Sequence, residues 1–167
     1  LSTPYDISDA TLVADDGINW STYKNPWGSS NTTMLPQTIR FNNDGTKMYL
    51  TEAVINTPDP QESVGVVQYN LATPFVPSST TTVQVLNLRA QFPKTNKAIH
   101  AMNFDDDGTR MYVSAGNFNV LTDHPHAVYE LSMPFEISSA KHVGTFNFVN
   151  ASGGGVRAVG GVFSEDG

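Results

Sequence analysis

The chain has 167 residues, 39% of them hydrophobic and only 15% charged, with a formal net charge of −7 and no cysteine. These figures exclude a disordered chain, which combines low hydrophobicity with high net charge. They also exclude any disulfide framework or thiolate metal site. Nucleic acid is not expected as a partner, because the nine basic residues form no run and phosphate recognition needs clustered Lys and Arg.

No apolar run approaches the roughly twenty residues of a membrane helix, so no membrane insertion is expected. Leu1-Ser2-Thr3-Pro4 lacks the basic start and apolar core of a signal peptide. If the protein is exported, Leu1 is a mature end or the start of a fragment.

In chain order, residues 1–14 read as the closing part of a unit. Leu1-Ser2-Thr3-Pro4-Tyr5-Asp6-Ile7-Ser8 returns as Leu71-Ala72-Thr73-Pro74-Phe75-Val76-Pro77-Ser78 and as Leu131-Ser132-Met133-Pro134-Phe135-Glu136-Ile137-Ser138. Residues 15–36 fit no unit and read as an irregular connector, rich in Asn, Ser, Thr and Gly. Residues 37–90 form a first complete unit, with strands expected at 38–41, 47–50, 66–70 and 82–86. Its first hairpin is Phe41-Asn42-Asn43-Asp44-Gly45-Thr46-Lys47-Met48-Tyr49-Leu50. Asp-Gly between two such runs is a strong hairpin signal, because Gly tolerates the positive φ of a tight turn.

Residues 98–148 repeat the pattern, with Phe104-Asp105-Asp106-Asp107-Gly108-Thr109-Arg110-Met111-Tyr112-Val113 in the same role. A third copy starts at Phe163-Ser164-Glu165-Asp166-Gly167, so residues 156–167 read as the start of a further unit. Inserts at 56–63 and 117–126 lengthen equivalent connections and could form one face. No stretch carries a helical period. The expected fold is all-β: four-stranded antiparallel blades, two complete and partial ones at both ends. Repeated four-stranded units are the pattern of propeller blades.

The Phe-Asn-Asn-Asp-Gly-Thr-Lys-Met-Tyr-Leu segment resembles the blade signature of YVTN-type and TolB-like β-propellers. The Leu-Ser-Thr-Pro-Tyr-Asp-Ile-Ser element resembles a variant of that repeat in large bacterial and phage surface proteins. The resemblance implies a blade architecture and an extracellular, cell-surface or virion location. It assigns no activity, since a fold does not carry a function.

Several residues invite chemistry. The acidic turns, with Asp105 and Asp107, offer oxygen ligands, and Ca²⁺ is the cofactor they could serve. They lack an EF-hand spacing, and a polar hairpin turn explains them more simply. Asp123, His124 and His126 could hold zinc or supply an acid–base pair, yet a solvated loop is the simpler reading. No Gly-x-Ser-x-Gly elbow accompanies them. Gly153-Gly154-Gly155 lacks the Lys-Ser/Thr of a phosphate loop and reads as a connector. Trp20, Tyr23 and Trp27 could stack on a sugar or anchor the long loop to the core. Asn19, Asn31 and Asn150 stand in Asn-x-Ser/Thr sequons, a surface signal. The Ser and Thr residues of 78–82 could carry O-linked sugar.

The expected function is therefore a non-catalytic structural repeat module of a surface appendage, with no resident cofactor. Its expected partners are copies of itself or adjoining repeats of a longer chain, and glycans under a second reading. Leu1, Tyr5 and Ile7 would pair with Val159, Val162 and Phe163 of a neighbour, because unpaired edges invite strand addition and non-closing head-to-tail contacts make filaments. The alternatives are a glycan- or protein-binding module using residues 56–63 and 117–126, and a metal-dependent enzyme using Asp123, His124 and His126.

Overall fold

The computed structural model describes residues 33–55, 65–92, 98–116 and 125–147. They build two four-stranded sheets, all strands antiparallel. The first has β1 (Thr33–Phe41), β2 (Lys47–Ile55), β3 (Gly65–Leu71) and β4 (Thr80–Asn87) in that order. The second has β5 (Ala98–Phe104), β6 (Arg110–Gly116), β7 (Pro125–Leu131) and β8 (Ala140–Asn147). Each sheet is a meander in which consecutive strands pair. The expected all-β class is observed.

Two differences from the sequence reading are local. Residues 33–36 were assigned to the connector, but they lie in β1, where Pro36 faces Glu52. A register shift between Pro36 and Thr38 accommodates this, and Pro without its N–H is tolerated at a bulge on an edge strand. The same irregularity recurs in β5 between Ile99 and Ala101. Pro125 and His126, assigned to an insert, lie in β7.

The two recurrent motifs turn out to be one device. The Asp-Gly turns place Gly45 at φ +71° and Gly108 at φ +72°. The Pro-aromatic turn folds back onto each of them. The Phe75 N–H donates to the Gly45 carbonyl at 2.9 Å, and the Phe135 N–H to that of Gly108 at 2.9 Å. Both phenylalanines hold positive φ, 60° and 59°, an outlier for a bulky side chain. The cost is offset by seating a ring over a bare glycine and against a strand aromatic, Phe41 for the exposed Phe75 and Phe104 for the half-buried Phe135.

Side chains alternate across each strand, so every sheet has two faces. On the first sheet, Tyr49, Thr51, Val66 and Gln68 share one face, and Met48, Leu50, Val67 and Tyr69 the other. Both faces are buried. Tyr49 and Val66 join Met111, Val113, Ala127, Tyr129 and Leu131 of the second sheet in one core. Met48, Leu50, Val67, Tyr69 and Leu71 form a separate cluster with Phe41. The link after β4 contributes Leu88 and Phe92, both fully buried in the shared core. Among the described residues no helix is long and apolar enough to cross a membrane.

Candidate functional site

The strongest concentration of specific polar contacts lies between the sheets. Lys47 and Tyr49 on β2 and Gln68 on β3 share a face, and all three reach the Pro-aromatic turn of the second unit. Lys47 Nζ sits 2.6 Å from Glu136 Oε2, with side-chain exposures of 23% and 14%. Tyr49 donates its hydroxyl to the Phe135 carbonyl at 2.6 Å, and its ring lies 4.7 Å from that of Phe104. Gln68 donates Nε2 to both Glu136 oxygens at 3.2 Å. It accepts the Ile137 N–H on Oε1 at 3.0 Å. Ile137 is buried behind this contact. Thr38 adds a bond to the His100 carbonyl at 2.9 Å, and Asn43 one to the Asp106 carbonyl at 2.8 Å.

The electrostatics follow from this packing. Burial opposes ionisation of Glu136, but the hydrogen bonds from Lys47 and Gln68 and the Lys47 charge outweigh it and hold the carboxyl below its ordinary 4.5. Burial pushes the Tyr49 hydroxyl well above its usual range, with Glu136 adding to the effect. Tyr49 is therefore a neutral donor. A carboxyl lowered in the folded state contributes stability above its unfolded pKa and loses it as pH falls through the folded one. Wild-type and Glu136→Gln proteins are thus expected to differ in urea midpoint at neutral pH. The gap should close as pH falls below 4.5. A gap that persists unchanged in acid would refute the ion-pair account.

The acidic turns are occupied by their own backbone. Asp107 Oδ1 accepts the Thr109 N–H at 2.9 Å and hydroxyl at 2.6 Å, and Asp44 does the same with Thr46. These bonds, side chain first, lower both carboxyls from the ordinary value. Asp105 accepts from the Arg110 N–H at 2.9 Å and the Thr109 hydroxyl at 3.3 Å. Such local bonds are what Asp does in turns. Among the described residues no group of three or more His, Asp or Glu is placed to hold a metal.

His126 is not in a solvated loop. It is 4% exposed on β7, where Nδ1 lies 2.7 Å from Ser114 Oγ and the ring stacks on Phe146 at 5.1 Å. The pair bridges facing residues of β6 and β7, a cross-strand contact of the kind that stabilises sheets. Asp123, His124, Trp20, Tyr23, Trp27, Asn19, Asn31 and Asn150 lie outside the described residues. So do Leu1, Tyr5, Ile7, Val159, Val162, Phe163 and the insert 56–63.

Sequence reading missed Lys47, Gln68 and Glu136. The available signal was weak: Lys47 and Arg110 keep a cation after the Asp-Gly-Thr turn, while acidity recurs in the Pro-aromatic turn at Asp6 and Glu136 but not at Val76. No family model matches the chain, and no curated protein and no solved structure matches it.

Proposed function

We propose that the chain is a non-catalytic structural repeat module, built of propeller-like blades, of an extracellular or virion surface appendage, and that it associates head-to-tail. One observation carries this reading. The sheet-to-sheet contact is made by repeated positions, a cation and a tyrosine on the second strand against a Pro-aromatic turn. A unit therefore carries both a receiving strand and a Pro-aromatic turn, and such a contact between unlike surfaces, where its rotation does not close a ring, extends from copy to copy. The long antiparallel meanders and the exposed Val143 on β8 suit a surface built for neighbours. The sequons and the paucity of charge support placement outside the cell.

Sedimentation velocity over a concentration series tests the proposal. The expected result is a mass rising in steps above the 18.1 kDa of one chain, with filaments in negative-stain images. A single 18.1 kDa species at every concentration would overturn it. A glycan array that lights up on such a monomer would favour the binding-module reading.

A further inference from the structure

We infer that the depression between Arg110, Glu130 and Lys141 on the second sheet binds an acidic sugar of the hexuronate class, its carboxylate held by the two cations and its hydroxyls by Glu130. This goes beyond the structural reading above and does not depend on association.

The depression has a volume of about 360 Å³, within the roughly 300–1,000 Å³ of small-molecule sites. Adjacent strands supply its charges. Arg110 opens β6 after the Asp-Gly-Thr turn, Glu130 lies near the end of β7 and Lys141 near the start of β8. The ladder sets Arg110 opposite Glu130 and Glu130 opposite Lys141, so the three stand in one row. The central carboxylate is placed to neutralise a cation on either side, and it does neither well. Arg110 Nη2 comes no nearer to Glu130 Oε1 than 4.0 Å, with side-chain exposures of 55% and 58%. Lys141 is exposed and has no ion pair among the described residues. A pair as exposed as Arg110 and Glu130 is worth little, so both cations keep their attraction for an incoming anion. Two cations less one carboxylate leave the row at +1, on a chain whose net charge is −7.

The hydroxyls of the lining divide in two. Ser139 Oγ is spent inside the turn, bonded to the backbone of Met133 and Glu136. Thr109 gives its proton to Asp107 at 2.6 Å. Ser132 is exposed and has no hydrogen bond among the described residues, so its hydroxyl is available in either role. The depression thus presents two cationic donors, one carboxylate acceptor and one hydroxyl.

That set selects the ligand. Lys47, which holds Arg110's place in the first sheet, takes a carboxylate at 2.6 Å. The planar fork of Arg110 suits a carboxylate better still, because it reaches both oxygens. A bare anion does not satisfy Glu130, which when ionised only accepts hydrogen bonds and repels further negative oxygens. Phosphate and sulfate are disfavoured on that ground. The side chain of an acidic peptide brings a carboxylate without hydroxyls, and a neutral sugar leaves both cations without a partner. A hexuronate brings one carboxylate with hydroxyl donors on the same ring, which matches the row of charges.

The experiment titrates the full chain with glucuronate and follows amide shifts by ¹H–¹⁵N correlation spectra. The expected dissociation constant is about 1 mM, with the shifts concentrated at Thr109, Arg110, Leu131 and Ser132. Glucose, acetate and inorganic phosphate should each bind about tenfold more weakly or worse. Arg110→Gln should weaken glucuronate about tenfold and Lys141→Gln about threefold. Glu130→Gln is the sharper test, because its signs differ. It should weaken glucuronate and tighten acetate and phosphate. Added salt should weaken binding to the wild type. Circular dichroism checks folding, and if Arg110→Gln fails to fold, Lys141→Gln and Glu130→Gln decide. Glucuronate binding indifferent to these changes, or shifts centred on other amides, would overturn the site. Acetate or phosphate binding as tightly as glucuronate would overturn the sugar. No shift at about 100 mM glucuronate, a hundred times the expected constant, would overturn both. None of these outcomes bears on association, which sedimentation reads separately.

Discussion

Gly108→Ala is expected to lower the unfolding free energy by about 3 kcal/mol, combining roughly 1–2 kcal/mol for a side chain at left-handed φ with roughly 1–3 kcal/mol for overpacking. The backbone stands at φ +72°, and an added Cβ would lie 2.3–2.5 Å from three atoms of the Phe135 ring. The ring has little freedom to yield. It packs on Phe104 at 5.3 Å, its N–H is bonded to Gly108, and its carbonyl accepts the Tyr49 hydroxyl. Gly45→Ala meets the same φ and an equally close ring. Phe75 is 56% exposed, however, and can swing toward solvent, so the loss should be smaller. Gly144→Ala in β8 meets nothing within 4 Å and should be near neutral. Urea denaturation of the three variants checks the order. Equal losses for Gly45→Ala and Gly108→Ala would show that backbone conformation alone sets the cost.

Gln68→Ala is the second large expectation, a loss of about 2–3 kcal/mol from stranding buried partners. Gln68 is fully buried, and its removal leaves the Ile137 N–H without its acceptor and Glu136 without one of its donors. Gln68→Met keeps most of the volume and loses the same bonds, so it separates packing from hydrogen bonding. Its cost should approach that of Gln68→Ala. The more telling readout is cooperativity. In repeat proteins, stability is a sum of unit terms and neighbour interfaces, so weakening this interface should let the sheets unfold separately. The expected sign is a lower denaturant slope or a split transition. A full loss of stability with one sharp transition would mean that Gln68 supports its own sheet rather than the junction.

The sheets themselves were largely legible. Asp-Gly turns flanked by Tyr, Val and Met runs announce hairpins locally, and the recurrence of Phe41 and Phe104 before them marks the first strand of each unit. The extent of the strands was less legible. Residues 33–36 end in a proline, and only pairing with β2 shows that a bulge admits it. His126 looked like a loop residue because Pro125 precedes it, yet the ladder with β6 holds it next to Ser114. Leu88 follows the last strand expected in the first unit and Phe92 lies past that unit's expected end at 90, yet both are buried in the shared core.

The junction was hidden for a different reason. Gln68 and Glu136 lie 68 residues apart, and nothing in either neighbourhood specifies the other. A glutamine on a strand and a glutamate in a turn are ordinary surface residues until another sheet removes their water.

Among the described residues, the four strands of each complete unit, their antiparallel order and the two glycine turns were determined by the sequence alone, because period-two alternation and positive φ act over a few residues. Which face of each sheet meets its neighbour, and which polar side chains are desolvated there, was decided only in three dimensions. Both faces of the first sheet are apolar enough to be buried, so alternation cannot choose between them; the choice rests on a turn that reaches across from the other unit.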